Sequence, residues 1–237
     1  MSDLPEELRR LLLDEGAALV GFADLTPLPA DDRLGLPRSV SIAVALDPAI
    51  VSSIRDHPNE EYVAEYSRRN EQLAALGEVA ARALRVRGYR AEPRVPTGSG
   101  VDDATLSTRL PHKTSATRAG LGWIGKTALL VTREYGPAVR FTTVLTDAPL
   151  PVGTPVERSQ CGSCDECVRL CPPQAATGRL WEAGDTRAAI FDAFACQAYC
   201  RSLKESEGLS YGICGRCVAV CPYTSAYLRR SGIGGER

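Results

Sequence analysis

The first 160 of the 237 residues contain no cysteine, although the whole chain has nine. The formal net charge is only −1, so charge does not point to nucleic acid or an anionic membrane as a partner. No apolar run approaches the roughly 18 residues of a membrane span, and the acidic start lacks the features of a secretory signal. We therefore expect a cytoplasmic protein without a membrane partner. In that reducing compartment, clustered cysteines are more typical of ligands or catalysts than of disulfides.

Hydrophobic periodicity predicts a capped helix over residues 4–15 and a long amphipathic helix over residues 60–87. The apolar runs ALVGFADL and SVSIAVAL predict two buried strands, and GYRAEPRVP predicts a further one. The alternating segments TALLVTRE and AVRFTTVLTD predict a strand pair that turns at Tyr135-Gly136-Pro137.

These patterns predict two domains in succession. Residues 1–150 are typical of an α/β or α+β domain, and the linker PVGTP follows at 151–155. Residues 156–230 would form the cysteine-rich domain.

Two cysteine runs have the spacing of iron-sulfur ligands. Residues 161–172 read CGSCDECVRLCP, the C-x2-C-x2-C-x3-C-P run of bacterial ferredoxins, and CGRCVAVCP at 214–222 repeats its second half. In two-cluster ferredoxins the last cysteine of each run binds the other cluster. This rule gives the first cluster Cys161, Cys164, Cys167 and Cys221, and the second Cys171, Cys214 and Cys217.

The second cluster is then one ligand short. Cys196 and Cys200, in the helical stretch FDAFACQAYC, are both candidates, and spacing does not choose between them. Zinc is the alternative for paired C-x2-C elements, but it would leave the third cysteine and the Cys-Pro step of each run without a role. Two [4Fe-4S] clusters are therefore the favoured interpretation.

Residues 120–127, GLGWIGKT, match the phosphate-binding pattern G-x4-G-K-[ST]. A working loop of this kind follows a buried strand and opens a helix. Here the preceding HKTSATRA is polar and helix-like, while the following TALLVT is strand-like. A nucleotide-dependent cluster-assembly protein, which rests on this motif alone, is thus less favoured than a tight turn whose glycines approach backbone or a flat cofactor.

The order of LPHKTSATRAGLGWIGK, VLTDAPL, CGSCDECVRLCP, FACQAYC and CGRCVAVCP resembles the catalytic core of epoxyqueuosine reductases. The resemblance is specific from about residue 108 to 224 and collinear but weaker over residues 1–107. Those enzymes are cobalamin-dependent reductases with two [4Fe-4S] clusters that act on a modified base in tRNA, and their core is related to that of reductive dehalogenases. The chain resembles a short form without their C-terminal helical repeats, which makes a substrate other than tRNA an open alternative.

The resemblance implies a flavin-reductase-like α/β domain that binds a corrinoid, followed by a ferredoxin-like module with two clusters. It also implies that Cys196 is the missing ligand, and that a flavodoxin or ferredoxin type of donor supplies electrons. Candidate cofactor-binding residues lie in and before the glycine loop. They are His112, Lys113, Gly120, Gly122, Trp123, Gly125 and Lys126. Simple packing is the alternative for Trp123, and a backbone-bonded histidine at a helix start is the alternative for His112.

The family's catalytic aspartate has no gap-free counterpart in this chain. Counting back from AGLGW reaches Leu106, with Asp102 and Asp103 close by as the candidate catalytic acids. A second hypothesis is therefore a non-catalytic, ferredoxin-like electron carrier that docks a partner enzyme.

Overall fold

The polypeptide forms a mixed α/β fold, which a computed structural model describes for residues 4–96 and 101–233. The strands are β1 (Leu19–Asp24), β2 (Arg38–Ala45), β3 (Ala91–Pro93), β4 (Trp123–Ile124), β5 (Leu130–Val131) and β6 (Val139–Thr146). The helices are α1 (Leu4–Asp14), α2 (Pro48–Ser53), α3 (Glu60–Val86), α4 (His112–Arg118), α5 (Glu166–Arg169), α6 (Arg187–Ile190), α7 (Ala193–Ser206), α8 (Arg216–Ala219) and α9 (Pro222–Arg230). The predicted helices at 4–15 and 60–87 and the three predicted strands before residue 96 are confirmed.

A four-stranded sheet with the order β1-β2-β6-β3 organises the first unit of the fold. Strands β1 and β2 are antiparallel, and so are β3 and β6. Side chains alternate between the two faces of a strand, so Phe22 and Ala23 on β1 enter different apolar clusters. The cluster that contains Phe22 also buries Leu8 and Leu12 of α1 and Leu73 of α3. Each helix thus packs its apolar stripe on the sheet.

Contacts between residues divide the chain into two units, and neither is continuous in sequence. The first unit comprises the residues up to Ala45 together with Arg69–Gly122 and Arg140–Val156. The second comprises Leu46–Arg68, Trp123–Val139 and the residues from Glu157 onward.

This division differs from the expected succession of residues 1–150 and 156–230. Hydrogen bonds explain the difference, because they tie the two early segments of the second unit to its other parts. The Leu46 N–H donates to the Ala138 carbonyl at 3.0 Å, and the Tyr227 hydroxyl donates to the Leu46 carbonyl at 2.8 Å. The Ser210 N–H donates to the Glu60 carboxylate at 3.0 Å.

The predicted pairing of TALLVTRE with AVRFTTVLTD is wrong. Strand β5 pairs instead with β4, opposing Trp123 to Val131, while β6 lies in the four-stranded sheet. At the predicted turn, residues 135–137, strand-like pairing is limited to an isolated bridge between Thr132 and Gly136. Alternation shows that a strand has two different faces but does not identify its partner.

No helix in the described ranges combines the length and the apolar character needed to cross a membrane. The long helix α3 reaches 27 residues, but its polar face interrupts any apolar run.

Neighbouring leucines of α1 offer a test of the core. Leu12 is fully buried, whereas Leu13 is 43% exposed. We expect Leu12→Ala to lower the free energy of unfolding by about 2–5 kcal/mol, because it removes apolar contacts and leaves a cavity. Leu13→Ala should change it by no more than about 0.5 kcal/mol. Urea unfolding followed by far-UV circular dichroism measures both, and equal effects would contradict the burial of Leu12.

Candidate functional site

The first cysteine run forms a compact loop around a single helical turn. Gly162 has a φ of +55°, which few residues with a side chain adopt, and the Cys164 N–H donates to the Cys161 carbonyl at 3.2 Å. Helix α5 begins just afterwards and contains Cys167. The Sγ of Cys171 accepts a hydrogen bond from the Ala175 N–H at 3.3 Å. The backbone therefore folds the run so that the Cys171 thiol faces an N–H group.

The second run contains a glycine whose conformation and close packing disfavour any residue with a side chain. Gly215 has a φ of +78° and immediately precedes α8. A Cβ at this position would lie 2.6 Å from both Ile54 Cδ1 and Tyr62 Cε1. Cys221 then caps the start of α9, where Pro222 fits the first helical turn.

The sulfurs of Cys161, Cys164 and Cys221 lie close enough to Cys167 to affect its pKa, and these four cysteines are the set that spacing predicts for the first cluster. Burial raises the pKa of Cys167 to about 12, and the nearby sulfurs of Cys161, Cys221 and Cys164 add to the increase. Burial also raises the pKa of Cys221, and Cys161 and Cys164 contribute in the same direction. Backbone N–H groups of Tyr223 and Thr224 oppose that increase.

A second group of thiols surrounds Cys217. Its pKa is raised by burial first and then by Cys214, Cys196, Cys167 and Cys171. Three of these four neighbours are the other ligands expected for the second cluster. Cys167 is the exception, since it is assigned to the first cluster.

Cys196 and Cys200 lie one turn apart on α7, and Asp192 caps this helix through the N–H groups of Phe194 and Ala195. The two thiols interact, which lowers the pKa of Cys196 and raises that of Cys200. Cys196 is among the groups that raise the pKa of Cys214, and Cys214 and Cys217 are among the groups that raise the pKa of Cys200. Both α7 thiols therefore lie close to the second group, and the assignment of Cys196 as its fourth member stays a prediction.

Within the described residues, no three histidine, cysteine, aspartate or glutamate side chains converge closely enough to hold a single metal ion. All nine cysteines are partly buried and form no disulfide. Thiol ligands of a cubane stand around a multi-atom cluster, so they need not meet at one point. A set of partly buried cysteines without disulfides is compatible with iron-sulfur clusters.

The glycine loop packs directly on the first cysteine group. The Trp123 Nε1–H donates to the Cys161 Sγ at 3.3 Å, and a Cβ on Gly125 would lie 3.6 Å from the same sulfur. Trp123 is only 1% exposed and Lys126 only 6% exposed. These side chains thus form packed structure, and no space for a flat cofactor lies between this part of the loop and Cys161.

Backbone conformation and close packing explain why glycine occupies positions in this loop. Gly120 has a φ of +77°, and a Cβ there would lie 2.9 Å from the Thr154 carbonyl oxygen. Gly122 is buried. The loop also follows helix α4, contains strand β4 and precedes strand β5, so the reversed order that argues against a phosphate-binding loop is confirmed.

His112 and Lys113 open α4. The His112 Nε2 lies 2.9 Å from the Val95 carbonyl, and its Nδ1 lies 3.0 Å from the Thr143 hydroxyl. Nε2–H therefore donates to the carbonyl while Nδ1 accepts from the hydroxyl, as in a neutral imidazole. Burial lowers the pKa of His112, which also favours the neutral ring. This geometry agrees with the alternative interpretation of His112, a histidine at the start of a helix that is hydrogen-bonded to the backbone and not to a cofactor.

The candidate catalytic acids lie in an exposed turn. The Asp102 carboxylate accepts hydrogen bonds from the N–H groups of Ala104 at 2.8 Å and Thr105 at 3.1 Å. Asp103 is exposed as well, and Leu106 has a φ of +51°. Asp102 thus organises the turn in this structure.

Sequence reasoning named Trp123 but missed its contact with the first cysteine group, and it did not name Tyr223. The indole of Trp123 donates to Cys161, and the Tyr223 ring meets Trp123 edge-on with the ring centroids 5.0 Å apart. Tyr223 follows the Cys-Pro step, which is the one signal in the sequence that places it beside a ligand.

No protein-family profile matches this chain. Among curated proteins, it is 31% identical over 210 residues to the epoxyqueuosine reductase of Aliivibrio fischeri, an alignment that covers 77% of this chain and 50% of the relative. It is also 27% identical over 211 residues to the tetrachloroethene reductive dehalogenase of Sulfurospirillum multivorans, covering 85% of this chain and 39% of the relative. The chain thus spans about half the length of this reductase and a smaller share, 39%, of the length of this dehalogenase.

Two solved structures share the fold. A catabolic reductive dehalogenase in complex with 3-bromo-4-hydroxybenzoic acid matches with a TM-score of 0.71 and 19% identity, over 98% of this chain and 34% of that one. An epoxyqueuosine reductase with an epoxyqueuosine-modified tRNA stem loop matches with a TM-score of 0.61 and 21% identity, over 94% and 66%. Together with the sequence relatives, they confirm that this chain resembles the epoxyqueuosine reductases, as its glycine loop and cysteine runs predict.

Proposed function

We propose that this chain is an iron-sulfur reductase of the kind represented by epoxyqueuosine reductases and reductive dehalogenases. The observation that carries the proposal is that cysteines of both runs and of α7 lie close enough together for neighbouring sulfurs to raise the pKa values of Cys167, Cys200 and Cys217. The sequence relatives bear the names of reductases and dehalogenases, which supports redox chemistry over a purely structural use of these thiols.

In this proposal, Cys161, Cys164, Cys167 and Cys221 hold one [4Fe-4S] cluster, and Cys171, Cys196, Cys214 and Cys217 hold the other. Bound clusters of this kind accept and release single electrons. The protein keeps the clusters in a partly buried pocket of thiols and N–H groups, and the residues from 156 to 230 would serve as the ferredoxin-like module. A flavodoxin or ferredoxin type of protein would supply the electrons in the cytoplasm.

A corrinoid is the proposed electron acceptor, and the comparisons support it more than the site does. One solved structure with the same fold, at a TM-score of 0.70, is that of a reductive dehalogenase for which a mechanism of B12-dependent dehalogenation is suggested. In this chain, Trp123 and Lys126 are buried and both ring nitrogens of His112 are engaged. The predicted loop residues therefore do not fit a corrinoid face as they stand, and a corrinoid would have to contact other parts of the flavin-reductase-like unit.

The packing of the glycine loop favours a second candidate, a ferredoxin-like electron carrier without turnover of its own. The Trp123 indole contacts the Cys161 sulfur and Gly125 lies near the same atom, so this edge of the first cluster would be covered by protein. An electron carrier needs clusters and a docking partner, but no open cofactor cavity and no catalytic acid.

Substitution of the two α7 cysteines tests the ligand assignment. The reconstituted wild-type protein should hold about eight iron and eight sulfide atoms per chain. Cys196→Ala should hold about half of that iron, because removal of a ligand opens the second cluster. Cys200→Ala is the matched control one helical turn away and should retain about eight. Iron and sulfide analysis with electron paramagnetic resonance (EPR) spectroscopy measures this, and the opposite pattern would assign Cys200 as the ligand.

Cofactor and substrate binding separate the two functions. If the chain is a corrinoid reductase, the reconstituted protein should bind added cobalamin with a change in its absorption spectrum. It should also reduce tRNA that contains epoxyqueuosine when a flavodoxin or a chemical reductant is supplied. Reversible cluster reduction with neither cobalamin binding nor turnover would instead support the electron carrier. The amount of tRNA reduced by cobalamin and reductant in the absence of protein is the background to subtract.

A further inference from the structure

The indole of Trp123 makes a specific contact with a proposed cluster ligand. Its Nε1–H donates to the Cys161 Sγ at 3.3 Å, although the two residues lie 38 positions apart in the sequence. Trp123 is 1% exposed, so water is not a ready alternative acceptor. An indole has a single N–H and no acceptor, and when buried it usually finds a partner. The sulfur of Cys161 is that partner.

The surrounding hairpin fixes the direction of this bond. Trp123 is paired with Val131 across β4 and β5, and the Gly125 N–H donates to the Leu129 carbonyl at 2.8 Å. The edge of the indole also meets the ring of Tyr223, with an angle of 73° between the planes. The backbone of the hairpin and the neighbouring ring therefore hold the N–H in place before any cluster binds.

The chemistry of the sulfur decides what the bond does. A neutral thiol is only a weak acceptor, whereas hydrogen bonds to charged acceptors are about twice as strong as neutral ones. As a ligand Cys161 is a thiolate, and its charge density increases further when the cluster gains an electron. A donor aimed at this sulfur stabilises the reduced cluster more than the oxidised one, and hydrogen bonds to the sulfurs are among the factors that set cluster potentials.

We propose that Trp123 is a positioning residue that raises the reduction potential of the cluster ligated by Cys161. The inference rests on the proposed clusters and adds a residue that controls one of them. Reduction consumes one electron from an external donor; no covalent bond forms or breaks, and the indole keeps its proton. The loop that resembles a phosphate-binding motif thereby acquires a role in electron transfer.

Trp123 is suited to a test because its donor belongs to a side chain. Cys171 receives its hydrogen bond from the backbone N–H of Ala175, which substitution of a side chain does not remove. Trp123→Phe removes the N–H and leaves an aromatic ring against Tyr223. Trp181→Phe makes the same chemical change at the other tryptophan. The backbone carbonyl of Trp181 accepts a hydrogen bond from the Ser159 N–H, and this bond survives the substitution.

The experiment is a redox titration of the reconstituted protein followed by EPR spectroscopy. In Trp123→Phe, one of the two potentials should become more negative, with about a tenfold lower ratio of reduced to oxidised cluster at a fixed potential. For a one-electron couple this ratio corresponds to about 59 mV. The other potential should stay in place, and Trp181→Phe should change neither.

A measurement on protein with the wild-type sequence keeps the test independent of how well the variant assembles. When the indole nitrogens are labelled with ¹⁵N, pulsed EPR of the reduced protein should detect a nitrogen coupled to one cluster. That signal should persist in Trp181→Phe. Two assembled clusters with no such coupling, or with unchanged potentials in Trp123→Phe, would overturn this inference alone. Failure of the chain to assemble any cluster would overturn the proposed function as well.

Discussion

Bringing several cysteine thiols together in a partly buried space costs free energy, and this cost constrains the rest of the structure. Burial and neighbouring sulfurs raise the pKa of Cys167 to about 12, which disfavours its thiolate at neutral pH. Backbone N–H groups near Cys214 and Cys221 act in the opposite direction on the pKa values of those two thiols and offset part of that cost. Folding of this region and loading of its metal are therefore coupled in the proposed function.

The sequence predicts the elements of the fold better than it predicts their partners. The two long helices, the early strands and the grouping of thiols follow from local periodicity and spacing. The pairing of β4 with β5 does not, because it depends on Gly125 approaching Val131 and Cys161, contacts that no periodic pattern encodes. The choice of Cys196 rests on the family resemblance, since Cys196 and Cys200 share one face of a helix.

Site residues were predicted least well where packing and function use the same amino acids. Buried Trp123 and Lys126 stand in a motif that favours cofactor binding, yet they contact the interior of their own unit. His112 is satisfied by Val95 and Thr143, two residues that are 17 and 31 positions away and whose proximity no spacing rule reveals. Asp102 stabilises a turn through two backbone N–H groups, which is a common use of aspartate outside active sites.

The discontinuity of the second unit has a consequence for how the chain is made. Its segments 46–68 and 123–139 are synthesised before any cysteine, and the rest of the unit follows only with the residues from 157 onward. Contacts such as Tyr227 with Leu46 span 181 positions, so they form late and close long loops. A fragment that starts at 157 would contain every cysteine of the chain, yet it would lack the indole that meets Cys161 and the Ile54 and Tyr62 side chains that enclose Gly215.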